Sequence, residues 1–378
     1  MAMARRDMLA GGAAAALLAG IGIGLGRPAR AAVRPVRPVV LGHRGCSALR
    51  PEHTLGSYAK AIADGADFIE PDLCVTRDGV LVARHEPNIA ETTDVADHQE
   101  FAARKATKTI DGVAQTGWFT EDFTLDELRT LRARERLTGD GMRTESHSFD
   151  GSFRILTFAE IADFLAAEAA ARGRTIGLIP EIKHSTYFAG IGLSLEDRFA
   201  RGLRESRYLA TAPVILQSFE ISNLKRLRGI LGDMPNVQFM QLIDDDALHP
   251  ADVVKAGGSL TYGDMLKADG LVAIAQYADW VAPWTWQLIP LGADDRLGTP
   301  NTVIADAHRA GLLAGCYTFR PENRFLAADY RNDAGANTRN PEGSLAEIRR
   351  YLAEGLDGFF TDDPALGRRA VDGDPPPI

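Results

Sequence analysis

"VVLGHRGCSALRPEHTLGSYAKAIADGADFIEPDL", residues 39–73, places a strand, a helix and a second strand within 35 residues. The run "VVLGH" (39–43) is short and apolar, Thr54 stands as an N-cap before "TLGSYAKAIADG", and "DFIEPDL" (67–73) resumes a strand pattern. A helical crossover of this length joins parallel strands, so the stretch reads as one unit of an α/β sheet. The pattern recurs in "VLVARH" (80–85), "TIGLIPEIK" (175–183), "VILQSF" (214–219), "VQFMQLI" (237–243), "DWVAP" (279–283), "LLAGCYTF" (312–319) and "DGFFTD" (357–362). That makes nine strand candidates for the eight places of a closed (β/α)8 TIM barrel, so one is extra or lies outside the barrel.

Further helices fit crossovers: "TFAEIADFLAAEAAARG", with a capping box from Thr157 to Glu160 and an end near Gly173, and "SLAEIRRYLAEG". From His85 to Thr157 run about 70 residues with one good helical pattern, "TLDELRTLRAR", too long for a barrel connection. The reading is an inserted subdomain over one barrel mouth, at about 88–153, within a single domain of residues 32–378. "PWTWQLIPLGADDRLGTPN" reads as a second loop on that side.

Composition sets outer bounds. A hydrophobic content of 45% and a charged content of 25% are those of a globular protein with a substantial core. The net charge of −9, without a long Lys/Arg cluster, argues against a nucleic-acid partner. Arg5 and Arg6, the apolar Gly/Ala-rich stretch from Met8 to Gly26 and Ala29-Arg30-Ala31 predict a signal peptide over residues 1–31, of twin-arginine type. The expected destination is the periplasm or the extracellular space, with no stable membrane insertion after cleavage. The segment is barely long enough to span a bilayer and is diluted by glycine. Cys46, Cys74 and Cys316 leave at least one thiol unpaired, and oligomeric state is not legible.

Reacting groups of such barrels sit at the C-terminal ends of strands, which makes His43, Arg44, Glu70, Asp72, His85, Glu86, Glu181, Lys183, Gln217, Tyr317 and Asp362 candidates. Glu70, Glu181 and Lys183 stand in otherwise apolar strands, where a charge is costly unless paired or bound to a metal. Between Asp72 and His85 lie only "LCVTRDGVLVAR", too short for a helix, and Asp78-Gly79 signals a hairpin. A two-residue turn would set Asp72 opposite His85, and a four-residue turn would set Glu70 there. Both registers put the three side chains on one face.

The motifs "HRG", "PEHT", "GADFIEPDL", "T-x-DG-x-LV-x-x-H", "EIK", "QSF" and "GFFTDDP" resemble, in order and over nearly the whole mature chain, the glycerophosphodiester phosphodiesterases. The segment after His85 resembles the insertion of their larger secreted members. This resemblance implies a PLC-like phosphodiesterase barrel with one divalent cation, Ca²⁺ rather than Mg²⁺ if the protein is secreted. It implies metal ligands at Glu70, Asp72 and Glu181, catalytic histidines at His43 and His85, and phosphate contacts from Arg44 and Lys183. Gln217 and Tyr317 are further candidates for touching substrate. Glu86 stands where many members have Asp, and Tyr317 where many have Trp.

These residue types suit the reaction. An anionic diester gathers more negative charge as it breaks, which a hard cation with carboxylate ligands, a forked Arg and a Lys can meet. No Cys/His spacing for zinc occurs. Two histidines can take a proton from the attacking oxygen and give one to the departing alcohol, and the sequence leaves open which does which, and whether water or the glycerol hydroxyl attacks first. The expected partner is a small glycerophosphodiester. Two other readings keep the barrel. One is a phospholipase D-like enzyme acting on lysophospholipid or sphingomyelin, against which stand "PEHT", "EIK" and the insertion. The other is a secreted non-catalytic binding protein, which ought to have lost one of the five metal and histidine positions.

Overall fold

A computed structural model describes residues 33–373, so the expected signal segment lies outside the described residues. The strands are β1 (Val39–His43), β2 (Phe68–Glu70), β3 (Asp72–Val75), β4 (Leu81–Ala83), β5 (Ala106–Ile110), β6 (Val113–Gly117), β7 (Gly177–Leu178), β8 (Glu181–Ile182), β9 (Val214–Ser218), β10 (Val237–Ile243), β11 (Trp280–Pro283), β12 (Leu313–Ala314) and β13 (Gly358–Thr361). Parallel pairing runs β12-β11-β10-β9-β7-β2-β1-β13. The Asp357 N–H donates to the Ala314 carbonyl at 2.9 Å and the Phe360 N–H to that of Cys316 at 3.0 Å, which joins the two ends of this order into a barrel.

Two barrel strands are broken by proline. Pro71 separates β2 from β3 and Pro180 separates β7 from β8, because proline has no N–H to give to the ladder. Counting each broken pair once leaves eight barrel strands. The ninth candidate is β4, which among the strands described pairs with β3, antiparallel.

The hairpin register differs from both expected ones. Leu73 faces Ala83 and Val75 faces Leu81, so Asp72 falls opposite Arg84, not His85. Three residues, Arg77 to Gly79, turn the chain: the Thr76 N–H donates to Val80 O, and Gly79 takes φ +82. Asp-Gly here closes a three-residue loop with a left-handed glycine, which shifts the pairing by one and reverses the parity. His85 reaches the barrel mouth because β4 stops at Ala83 and leaves it on the irregular chain beyond.

The helices begin where capping predicts. Thr157 and Glu160 cap Phe158–Arg172 reciprocally, and Gly173 ends that helix at φ +62. Thr54 Oγ1 accepts from Ser57 N at the start of Leu55–Ala63. The "TLDELRTLRAR" pattern yields only one turn, Leu125–Leu128. The segment after β4 also holds the antiparallel pair β5–β6, whose turn residues Asp111 and Gly112 lie at φ +47 and +85. Two successive left-handed residues make a type I′ hairpin turn. All three cysteines are buried, free thiols.

Period two along the strands positions the site. Leu41, Phe68, Ile179, Ile215, Leu313 and Phe360 belong to one cluster filling the barrel interior. Even steps onward along the same strands bring His43, then Glu70 and Asp72, then Glu181 and Lys183, and then Gln217, Tyr317 and Asp362. The apolar plug and the polar mouth are one set of inward-facing positions.

Candidate active site

Strand register places the carboxylates side by side. His43 is level with Glu70, Asp72 with Glu181, and Glu181 with Gln217. Glu70, Asp72 and Glu181 are buried and offer oxygens that all lie within 4.8 Å of one another. Burial, and then the neighbouring Asp72, push Glu70 well above the usual carboxylate range, and burial raises Glu181 to about 8. Burial acts the same way on Asp72, but the hydrogen bond and charge of His53 hold it low. Three carboxyl groups this close resist joint ionisation, and a hard cation between them relieves the repulsion. The Asp72 Oδ1 atom is buried with no hydrogen-bond partner, a free lone pair on the shared face. The donor set, all oxygen and all carboxylate, therefore fits a divalent cation.

Neighbouring donors orient these acids. The Arg44 backbone N–H donates to Glu70 Oε2 at 2.6 Å and Gln217 Nε2 to Glu70 Oε1 at 3.0 Å. His53 spans 2.9 Å from Nε2 to Asp72 and 2.9 Å from Nδ1 to the Tyr58 hydroxyl. Lys183 Nζ sits 3.0 Å from Glu181 Oε1 and 3.5 Å from His85 Nε2. The backbone donor at Arg44 exists because the "HRG" turn is left-handed, with φ +56 at Arg44 and +93 at Gly45. A Cβ on Gly45 would come within 2.6 Å of the Ser57 carbonyl carbon, so glycine alone fits that approach.

Each histidine has a carboxylate behind it. His43 Nδ1 is 2.6 Å from Asp362 Oδ1, and Arg44 Nε approaches His43 Nε2 at 3.2 Å. His85 Nδ1 lies 3.0 Å from Glu86 Oε1. Burial, then the Arg44 charge, lower His43 to about 4, and burial with Arg44 and Lys183 lowers His85 to about 3. Both shifts favour the neutral ring.

A cavity of about 260 Å³ is lined by His43, Arg44, Glu70, Asp72, His85, Glu181, Gln217 and Tyr317, together with Arg136 and Arg320. Eight of the nine expected site residues thus face one space, and Lys183 borders it through His85 and Glu181. Arg44 lies along the wall with Nη1 held by Glu52 at 2.8 Å. Gln217 spends its amide N–H on Glu70 and leaves Oε1 without a partner. Tyr317 gives its hydroxyl to the Ile243 carbonyl at 2.5 Å, so it offers the cavity a ring face, edge-on to Phe219. A groove of about 960 Å³ shares His85, Glu181, Phe219 and Tyr317 with this cavity and opens away from His85.

Several participants had no sequence assignment. Arg320 lies 3.3 Å from Asp362 at the cavity wall, and its place just after a strand was a usable signal. Arg143 joins Asp362 to Glu322 (2.8 Å) and to the Ser47 carbonyl (2.9 Å), and Arg136 donates to Glu52 at 2.8 Å. His184 bridges Glu86 and Asp111. Arg136 and Arg143 carry no local signal, since only the fold brings them to the mouth.

Against known proteins, residues 43–366 match the model of the glycerophosphoryl diester phosphodiesterase family. A glycerophosphodiester phosphodiesterase of Arabidopsis thaliana is 35% identical over 340 residues, covering 86% of this chain and 84% of that one. One from Haemophilus influenzae is 30% identical over 263 residues, covering 66% and 70%. Among solved structures, one from Silicibacter pomeroyi superposes with a TM-score of 0.58 at 22% identity, covering 89% of this chain and 94% of that one. An Oleispira antarctica phosphodiesterase in complex with the product sn-glycerol-3-phosphate gives 0.52 at 16% identity, covering 88% and 96%.

Proposed function

Since the chain belongs to the glycerophosphoryl diester phosphodiesterase family, matched across residues 43–366, we propose that it hydrolyses glycerophosphodiesters to glycerol 3-phosphate and the free alcohol at this cavity. The observation that carries the reading is the meeting of the buried Glu70–Asp72–Glu181 cluster with two carboxylate-backed histidines in one space. A cation bound by the three acids would act as a Lewis acid on the phosphoryl oxygens. Oxygen-only ligation suits Ca²⁺ and Mg²⁺ alike; export, which the paired arginines and apolar stretch before Ala31 support, favours Ca²⁺.

Arg44 and Lys183 add fixed positive charge for the diester, and Arg136 and Arg320 extend it around the wall. His43, at the closed side, stands neutral with Nδ1 on Asp362, the arrangement of a base whose cationic form a carboxylate can stabilise. His85, where the cavity meets the wide groove, faces the space into which a bulky alcohol can leave; Glu86 favours the protonated ring needed to deliver a proton, and an anionic diester beside Arg44 and Lys183 would offset the two charges that keep the free ring neutral. Gln217 Oε1 and the Tyr317 ring are left to contact the glycerol part.

His43→Ala and His85→Ala should each lower kcat for glycerophosphocholine by about 10²–10⁴-fold with circular dichroism unchanged. Either variant turning over at near the parent rate would contradict the assignment.

A further inference from the structure

Behind His85 runs a chain of side chains that ends on the segment following β4. Glu86 Oε1 lies 3.0 Å from His85 Nδ1, an ion-pair distance without hydrogen-bond alignment, while Glu86 Oε2 is 3.1 Å from His184 Nε2. His184 Nδ1 is in turn 2.6 Å from Asp111 Oδ2, and Gln115 Nε2 reaches Glu86 Oε2 at 3.4 Å. Both ring nitrogens of His184 therefore face carboxylates, and a ring can donate to two acceptors at once only as the imidazolium. The backbone is shaped for the contact: His184 and Asp111 both sit at φ +47, an uncommon conformation for residues other than glycine. Asp111 occupies the first position of the type I′ turn between β5 and β6, which reaches the mouth of the barrel.

We infer that Asp111 and His184 are positioning residues for the second catalytic histidine: the β5–β6 hairpin holds His184, His184 holds Glu86, and Glu86 fixes the ring of His85. Glu86 is one methylene longer than aspartate and follows His85 directly, so it has rotamers that would swing its carboxylate away from the ring. Two donors on Oε2, from His184 and Gln115, remove that freedom. The hairpin thereby does more than cover the mouth, because it completes the support of a reacting group 26 positions earlier in the chain, from Asp111 back to His85. The inference rests on the catalytic reading of His85, and the experiment separates the two.

The variant that isolates the contact is Asp111→Asn. Asparagine before glycine is the preferred type I′ pair, so the turn survives while the charge that holds His184 is lost. His184→Asn is its companion, since asparagine tolerates the left-handed backbone of His184 and removes the imidazole. Each should lower kcat for glycerophosphocholine by about tenfold, the usual cost of losing an outer supporting contact, with KM little changed and a modest fall in the thermal midpoint at pH 7. The double variant should be no slower than His184→Asn alone, as expected of residues acting as one unit. Parent kcat in both single variants, alongside an inactive His85→Ala, would overturn the inference and leave the catalytic reading standing. A stability loss without a change in kcat would also overturn it, by reducing the contact to docking of the hairpin. Turnover retained by His85→Ala would remove the catalytic reading and the inference together.

Discussion

At the scale of single residues, what could be read from the sequence was what the barrel's period of two and its strand ends dictate. His43, Glu70, Asp72, Glu181 and Gln217 each follow an inward apolar residue by an even step, and register then sets them level across neighbouring strands. Groups that arrive from other elements had no such signature: Arg143, Arg136 and His184 act through contacts between residues far apart in the chain. Arg84 is the misfit of the hairpin register. It lies opposite Asp72, fully buried, and none of its guanidinium nitrogens has a hydrogen-bond partner among the described residues. Burial lowers its pKa to about 10. An uncompensated buried cation is costly, and methionine has a similar reach without the charge. Arg84→Met should raise the unfolding free energy by about 1–4 kcal/mol in chemical denaturation and leave kcat as it was. A less stable variant would mean that Arg84 serves Glu52 or Tyr58 in a way geometry alone does not record.

Elements were legible where pattern and caps agreed. The helix Phe158–Arg172 starts at its capping box and stops at Gly173, because both signals are local. The β5–β6 hairpin escaped notice although Asp111-Gly112 is as good a turn signal as Asp78-Gly79, since its strands, "ATKTI" and "VAQTG", are mostly polar and exposed. A ribbon with little apolar surface of its own is held by the contacts it makes. Asp111 provides one that depends on pH. Burial acts to lower His184, but the hydrogen bonds it donates to Asp111 and Glu86 outweigh it and raise the ring to about 9. A histidine with a raised folded-state pKa contributes stability that is complete below about pH 6.5, its unfolded value, and is lost as pH rises through about 9. The urea midpoint of the parent protein should accordingly fall between pH 6.5 and 9.5, and the fall should be shallower in Asp111→Asn. Equal slopes in the two proteins would contradict the pairing.

For the whole molecule, the alternation of strands and helices was enough to predict a barrel, and the hydrogen bonds from 357–360 to 314–316 complete its ring. The expected extra strand proved to be β4, folded back on β3 by a three-residue turn. The site divides accordingly. The barrel supplies the carboxylate cluster and His43, the hairpin brings His85, and the segment after it braces both histidines, through Arg143 on Asp362 and Asp111 on His184. The central claim is that the three buried acids hold a cation on which turnover depends. Its most direct test is the release of glycerol 3-phosphate from glycerophosphocholine by the purified protein before and after chelation, with Ca²⁺ or Mg²⁺ added back. The account predicts release that chelation abolishes and a divalent cation restores, with Glu181→Gln failing to recover. Turnover that survives chelation undiminished, or that Glu181→Gln retains in full, would contradict it.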